Sequence, residues 1–180
     1  FYVTNGWQFS GIAGEANLAC LHVMSDELAQ QTKGDSWVDE GACGTSFGYH
    51  TWQYRVYENL EGKTAWDDAA DFRHLYAHIN ACNIILDEVK AYENVTEEED
   101  VQNVSRIKGE SYFLRGSCYF FLVNLYGKPY AKATAGNDPA VPIKLSNNVE
   151  DKYYQRSSVA EVYKQVVADL LEAEKYLKDV

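Results

Sequence analysis

Three long segments of the chain carry apolar residues at alternating steps of three and four positions, which is the spacing of one face of an α-helix. These segments predict helices from Ala65 to Tyr92, from Glu97 to Tyr126 and from Val159 to Lys178. Only residues 93–95 connect the first two helices. Because this connection is so short, the two helices should be antiparallel neighbours. Residues 15–30 predict a fourth helix. The pattern therefore predicts an all-α fold of antiparallel helical hairpins.

The same spacing predicts which side chains each helix buries. The first helix is predicted to bury Phe72, Leu75, Tyr76, Ile79, Cys82, Leu86 and Val89. The second is predicted to bury Val104, Ile107, Ser111, Leu114, Cys118, Phe121 and Leu125. The third is predicted to bury Val159, Val162, Tyr163, Val166, Leu170, Ala173 and Leu177.

Local signals mark where two of these helices begin and where one ends. Thr96 with Glu99, and Ser158 with Glu161, have the spacing of a capping box, in which the two residues satisfy each other's backbone N–H groups. Gly127 follows the second helix in the position that helix C-caps favour. These signals predict helix starts near residues 97 and 159 and a stop at residue 126.

Two long stretches between the helices have no helical pattern. Residues 33–63 are rich in glycine and aromatic residues, and residues 128–157 contain all 3 prolines. Loops of this length in a compact domain usually serve a function or pack against something else. With 180 residues, the chain is predicted to be a single domain, residues 1–180, with these two loops.

The charge of the chain excludes two classes of partner. It has 16 Lys and Arg against 27 Asp and Glu, a formal net charge of -11, and no basic run. Binding to a phosphate backbone or to an anionic membrane surface needs clustered Lys and Arg, so neither is predicted. No apolar run approaches the 18 residues or more of a membrane-spanning helix, so no span is predicted.

The sequence carries no recognisable catalytic, nucleotide-binding or metal-binding motif. The chain has four cysteines, and their spacing is not that of a zinc site: Cys20, Cys43, Cys82 and Cys118. The sequence does not decide whether two of them form a disulfide. His74 and His78 lie four residues apart on one helix face, and Asp71 lies one turn earlier. These three side chains could in principle bind a metal ion, but we interpret the two histidines as a generic surface pair. No metal, other cofactor or catalytic residue is predicted.

Four polar residues of the first two predicted helices stand out as candidates for burial. They are Asn80, Asn83, Glu110 and Arg115. Buried polar groups are hydrogen-bonded, and a buried arginine normally needs a carboxylate partner. We interpret these residues as structural, holding helices and loops together.

Several segments resemble, in order, the SusD/RagB-like family. The resemblance is carried by LYAHINACN at residues 75–83, GESYFLRG at 109–116, YFFLVNLYGKPY at 119–130, Val141-Pro142, RSSVAEVY at 156–163, and Asp169-Leu170 followed by Ala173. Each motif is weak alone, but their order and spacing are specific. Phe72 stands where members often have Trp, and Ser111 and Gly116 stand where Ala is common.

The resemblance implies a fold and a function. Members have a tetratricopeptide-like superhelical scaffold and are surface-exposed outer-membrane lipoproteins of Bacteroidetes-type bacteria. They are not enzymes. They capture glycans, or in some members peptides, and pass them to a SusC-like TonB-dependent transporter. Because full-length members are longer, and because the chain starts at Phe1 without a signal segment or lipidated cysteine, it is expected to be an N-terminal portion with its lipid anchor upstream.

Within this chain, the aromatic loop is the predicted source of ligand contacts. Aromatic rings can lie against sugar rings while polar groups bond to the hydroxyls. The predicted aromatic contacts are Trp37, Tyr49, Trp52 and Tyr54, with Asp35 and Asp39 as polar helpers. These residues come from the composition of the loop and not from a family motif. The opposing interpretation is that the rings pack onto the helices or against a missing C-terminal half.

Two other classes of function stay open. Stacked helical hairpins can bind peptides or partner proteins on a concave surface, so the chain could be a protein-interaction scaffold. The many carboxylates could also include the pair that a glycosidase needs, but their separation decides that chemistry and a sequence does not give it.

Overall fold

The protein is described by a computed structural model, which covers residue 52, residues 70–148, residue 151 and residues 153–178. The chain divides into two compact units, Phe1–His74 and Leu75–Val180. The predicted helix over residues 15–30 and the first residues of the helix predicted from Ala65 lie outside the described residues.

Three α-helices make up the described part. They are α1 (Ala70–Glu88), α2 (Glu98–Tyr126) and α3 (Val159–Leu177), and a 3₁₀ helix (Val89–Tyr92) follows α1. Among the described residues there is no β-strand, and one isolated bridge pairs Pro139 with Ser158. The predicted all-α fold is confirmed. No helix within the described residues has the length and apolar character needed to cross a membrane.

The helix ends agree with the sequence signals at two of three positions. Ser158 and Glu161 form the predicted capping box at the start of α3. The Gly127 N–H donates to the Val123 carbonyl at the end of α2, so close that a Cβ on residue 127 would clash with that oxygen. The predicted capping box at Thr96 is wrong, because α2 starts one residue later and its N-cap is Glu97, which makes no side-chain cap.

Helix α2 contacts both α1 and α3. Arg115 of α2 hydrogen-bonds to Asn83 of α1 and to Asp169 of α3. The ring of Tyr112 on α2 stacks on Tyr176 near the end of α3, with centroids 6.1 Å apart, and Phe120 further along α2 meets Tyr163 near the start of α3. This order of contacts shows the antiparallel hairpin packing of α2 and α3.

Small residues bring α2 and α3 close together. A Cβ added to Gly109 would lie 2.7 Å from Cδ2 of Leu177, and one added to Gly116 would lie 3.1 Å from Cβ of Asp169. Glycine inside a helix costs about 1 kcal/mol relative to alanine. The close approach of α3 at both positions accounts for glycine there.

The buried face of α2 is wider than predicted. Tyr119, Leu122 and Val123 are buried although the predicted stripe omits them, and Ile107 of that stripe is exposed. A single stripe describes a helix with one neighbour. Because α2 contacts α1 on one side and α3 on the other, it buries two faces.

The buried face of α3 differs from the prediction at three positions. Val159, Val162, Val166 and Ala173 are buried as predicted, but Leu170 is exposed and Tyr163 and Leu177 are half-buried. The side chain that continues the steps of three and four is the buried Asp169. An acidic residue occupies an apolar position because Arg115 pairs with it from α2.

The loop between α2 and α3 is held by backbone hydrogen bonds and by one arginine. The Ala140 N–H donates to the Ser157 carbonyl at 2.7 Å. Arg156 donates to the carbonyls of Ala140, Pro139 and Tyr126, at 2.6, 3.3 and 3.2 Å. Arg156 therefore joins the end of α2 to the segment that precedes α3.

Candidate functional site

Arg115 is the centre of a buried polar cluster. Its Nε and Nη2 atoms donate to the two carboxylate oxygens of Asp169 at 2.9 and 2.7 Å, and its Nη1 donates to Oδ1 of Asn83 at 2.8 Å. The side chains of Arg115 and Asp169 are only 8% and 3% exposed. Such a two-point pair fixes geometry as well as charge.

The cluster extends from the helices into the loop. Nδ2 of Asn83 donates to the carbonyls of Lys144 and Ser146, at 3.0 and 3.4 Å. The hydroxyl of Tyr119 bonds to both the carbonyl and the N–H of Lys144 at 2.8 Å. Residues 144–146 are therefore held against α1 and α2 by side chains that are themselves buried.

The surroundings of Arg115 keep it charged. Burial alone lowers the pKa of its guanidinium, but the hydrogen bonds and charge of Asp169 more than offset this, so the pKa is raised above its ordinary value. The guanidinium also lies 5.3 Å from the centroid of the Tyr112 ring. Nε2 of Gln165 donates to Asp169 at 2.9 Å and completes the carboxylate's partners.

The other polar residues singled out in the sequence lie elsewhere. Glu110 is exposed and pairs with Arg106, one turn earlier on α2, at 3.2 Å. It is not the carboxylate that meets Arg115; a residue five positions earlier points to a different side of a helix. Asn80 is half-buried on α1.

An open cleft of about 450 Å³ lies beside this cluster, between α1, α2 and the loop. We call it the polar cleft. Its lining consists mainly of polar side chains: Asn83, Leu86, Asp87, Lys90, Tyr112, Arg115, Leu145, Ser146, Asn147 and Asn148. Its volume lies within the range of about 300–1,000 Å³ that is typical of small-molecule sites.

The outer edge of the polar cleft is formed by an ion pair. Lys90 donates to one oxygen of Asp87 at 2.8 Å, and Nδ2 of Asn147 donates to the other at 2.9 Å. These hydrogen bonds hold the pKa of Asp87 below its ordinary value of 3.8, and the same contact raises the pKa of Lys90. Both groups are therefore charged at neutral pH.

Of the predicted ligand-binding residues, the structure describes Trp52 alone. Its side chain is 71% exposed, and its backbone lies at a φ of 54°, a left-handed conformation that bulky residues rarely adopt. Trp37, Tyr49, Tyr54, Asp35 and Asp39 lie outside the described residues.

The described cysteines and histidines are buried or half-buried in the helices. Cys82 and Cys118 are free thiols, and burial raises their pKa to about 11 and about 12. His78 is buried and His74 half-buried, so the interpretation of a surface pair is wrong: this side of α1 is covered. Within residues 70–148 and the described positions after them, no three His, Cys, Asp or Glu side chains form a group that could hold a metal ion.

The sequence matches a protein-family model over residues 12–180, nearly the whole chain. That family is named SusD-like and described as starch-binding and associating with the outer membrane. The chain belongs to the SusD-like family. No curated protein matches it.

Solved structures agree with the SusD-like assignment. A putative sugar-binding protein from Bacteroides vulgatus is 26% identical with a TM-score of 0.59, and it covers 74% of this chain and 27% of its own. SusD superfamily proteins from Bacteroides thetaiotaomicron and Bacteroides fragilis are both 25% identical, with TM-scores of 0.57 and 0.55. Their alignments cover 81% and 71% of this chain and 28% and 27% of theirs.

The SusD-like chain therefore spans about a quarter of the length of these relatives. Its helices have the tetratricopeptide-like hairpin arrangement of the SusD superfamily, as the resemblance implied.

Sequence reasoning missed the partner of Arg115 and most residues of the polar cleft in this SusD-like chain. Asp169, the partner, could have been found, because it fits the steps of three and four along α3 and lies in the Asp-Leu-x-x-Ala motif. Asp87 and Lys90 have the spacing of an ordinary surface pair on a helix. Nothing in their local sequence indicates that Asn147 from a distant loop meets them.

Proposed function

We propose that this chain is part of a non-enzymatic, surface-exposed lipoprotein that captures an oligosaccharide and passes it to a SusC-like TonB-dependent outer-membrane transporter. The observation that carries the proposal is the family match over residues 12–180, whose description is starch-binding and associating with the outer membrane. The sugar-binding description of the Bacteroides vulgatus relative supports it.

The described geometry supports capture by an aromatic surface. A tryptophan ring that is 71% exposed presents a large apolar face to solvent, and burying it against a sugar ring is favourable. Its left-handed backbone is the kind of uncommon conformation that clusters at binding sites. We propose that Trp52 acts with Trp37, Tyr49 and Tyr54 in the contact, and that Asp35 and Asp39 bond to hydroxyls.

A calorimetric titration of the full chain tests this proposal. Malto-oligosaccharides, mixed glycans and a peptide library are titrated into the wild type and into the Trp37→Ala and Trp52→Ala variants. Tyr153→Ala serves as a control, because Tyr153 is fully exposed and lies outside the aromatic loop. We expect Trp52→Ala to weaken glycan binding about tenfold, the usual cost of losing an aromatic anchor.

Each outcome of the titration decides a different point. Unchanged affinity in both tryptophan variants would remove the aromatic loop from the binding site. Binding of peptides and of no glycan would replace the ligand class. Turnover of any glycan would favour a glycosidase, although Asp87 is the one carboxylate among the described residues of the polar cleft and such enzymes use two.

A second candidate function, a protein-interaction scaffold, is favoured by an exposed apolar face on α2 and α3. Phe113 and Phe120 on α2 and Val167, Leu170 and Leu171 on α3 are exposed. Exposed apolar patches often mark protein interfaces. Loss of co-purification with the transporter in Phe120→Asp, with glycan binding intact, would assign this face to the partner; retained co-purification would remove it.

A further inference from the structure

The charges that line the polar cleft are paired one to one. Behind the lining, Asp169 accepts hydrogen bonds from Arg115 on both of its carboxylate oxygens, and at the outer edge Asp87 accepts one from Lys90. The other described residues of the lining are asparagine, leucine, serine and tyrosine. A charged ligand would have to compete with a partner that each charge already has, so the lining favours an uncharged ligand.

Donors and acceptors that the fold does not use lie side by side in the polar cleft. The guanidinium of Arg115 uses three of its five N–H groups in the buried cluster, and the ammonium of Lys90 uses one of its three in the ion pair. On the loop, the amide oxygen of Asn147 and the side chains of Ser146 and Asn148 form no hydrogen bond with any described residue. Hydroxyl groups match this mixture, because each of them both donates and accepts.

Two leucines give the polar cleft an apolar surface among these polar groups. Leu86 of α1 and Leu145 of the loop both line it, and Leu145 is 46% exposed. Small-molecule sites typically combine apolar surface with a few polar groups that fix the orientation of the ligand. A pyranose ring has the same two kinds of surface, with hydroxyls around its edge and C–H groups on its faces. The lining therefore fits a sugar ring better than a ligand that is polar throughout.

Hydrogen bonds fix several groups of the polar cleft in place. Asn83 is held by Arg115 and itself donates to the backbone of the loop, and Asn147 is held by Asp87. Groups that are ordered in advance lose less conformational entropy when a ligand binds. All described lining residues belong to the unit Leu75–Val180, so these groups form a site within one unit.

We propose that the polar cleft binds one neutral hexose unit, whose hydroxyls bond to Arg115, Lys90 and the loop residues 146–148. The proposal rests on the proposed function only for the class of ligand, because this is a second site and not the one assigned to the aromatic loop. For a ligand of about a dozen non-hydrogen atoms, we expect a Kd of about 1 mM.

A titration of the isotope-labelled full chain followed by NMR tests this inference. The neutral probes are the methyl glycosides of glucose, galactose and mannose. Glucuronate adds a carboxylate to the same kind of ring, and N-acetylglycinamide replaces the hydroxyls with peptide groups. We expect at least one neutral glycoside to shift the side-chain signals of Asn147, Asn148 and Arg115, with an affinity that salt leaves unchanged because the charges of the lining are paired.

Tyr112→Phe removes one hydroxyl from the polar cleft, and the chain offers a matched control. The rings of Tyr112 and Tyr176 stack on each other, both are half-buried, and only Tyr112 lines the cleft. Phenylalanine keeps the stack in either position. We expect Tyr112→Phe to weaken binding of the neutral glycoside about fivefold, the usual value of one hydrogen bond, and Tyr176→Phe to leave it unchanged.

Asn148→Ala gives a second, independent comparison on the loop. Asn148 and Asn137 are both exposed asparagines between α2 and α3, and Asn137 is not among the residues that line the cleft. Neither side chain forms a hydrogen bond with a described residue, so neither substitution should alter folding. We expect about fivefold weaker binding in Asn148→Ala and no change in Asn137→Ala.

Four results would overturn the inference. They are the absence of binding by all three neutral glycosides, equal effects in both variants and their controls, tighter and salt-dependent binding of glucuronate, and binding of N-acetylglycinamide in place of the sugars. None of them touches capture by the aromatic loop, which is measured with oligosaccharides and the tryptophan variants. Conversely, oligosaccharide affinity that is unchanged in Trp37→Ala and Trp52→Ala counts against the aromatic loop and leaves this inference standing.

Discussion

The pair between Arg115 and Asp169 gives the sharpest prediction of stability. Asp169→Asn keeps the size of the side chain but removes the charge that faces the guanidinium. Breaking a buried ion pair by removing one partner costs about 3–5 kcal/mol, because the remaining charge stays buried without compensation. Asparagine still offers one carbonyl oxygen to Arg115, so we expect a loss of about 3 kcal/mol, the lower end of that range.

This loss is large against the stability of a domain. Folded domains are stable by about 5–15 kcal/mol in total, so Asp169→Asn should shift the urea midpoint clearly. The measurement is the free energy of unfolding from urea titrations followed by circular dichroism. Glu172→Gln is the control on the same helix, because its pair with Lys175 is exposed, and it should cost at most about 0.5 kcal/mol.

A double variant separates the ion pair from the shape of the site. Replacing a buried pair with apolar residues of similar volume is often neutral, but here Asn83 would lose the donor that Arg115 provides. We therefore expect Arg115→Met with Asp169→Leu to be more stable than Asp169→Asn alone, and about 1–2 kcal/mol less stable than the wild type. A loss below about 1 kcal/mol in Asp169→Asn would refute the reasoning, since it is the value of a solvated pair.

Two further predictions concern helix packing and helix capping. Gly109→Ala should lower the free energy of unfolding by about 1–2 kcal/mol, since its Cβ would press on Leu177 and Tyr176 and the gain in helix propensity offsets only part of this. Gly136→Ala meets no atom within 4 Å and should be neutral; equal effects in the two variants would contradict the packing argument. Ser158→Ala should cost about 1 kcal/mol by thermal melting, because it removes the cap of α3. The backbone N–H and the hydroxyl of Ser158 donate hydrogen bonds to Glu161 and hold its pKa below 4.5. The stability that these bonds give is present above pH 4.5, and it is lost as the pH falls through the lowered pKa of Glu161 in the folded protein. Glu161→Gln should therefore flatten the acid side of the stability profile, and an unchanged slope would contradict it.

The helices were predictable because their signals are local. Steps of three and four residues located α2 and α3, and the capping box at Ser158 marked the start of α3 correctly. The capping box at Thr96 was wrong because four consecutive acidic residues allow more than one start. The structure shows α2 beginning after Glu97, with Glu98, Glu99 and Asp100 in its first turn.

Features that depend on distant residues were not predictable in the same way. One apolar stripe cannot show that α2 has two neighbours, so Tyr119 and Leu122 were missed as core residues. The need for a carboxylate near Arg115 was clear from the sequence, but its identity, 54 residues away on another helix, is a property of the packing. The polar cleft exists only because residues 145–148 return to α1.

The double contact of α2 also limits how the length of the chain can change. One residue inserted in α2 before Arg115 would turn every later side chain by about 100° about the helix axis. The guanidinium would swing away from α3, and Tyr119 would leave its place against Lys144 in the same movement. Gains and losses of residues in relatives of this chain should therefore fall between the helices, and the spacing from Gly109 to Tyr119 should stay constant.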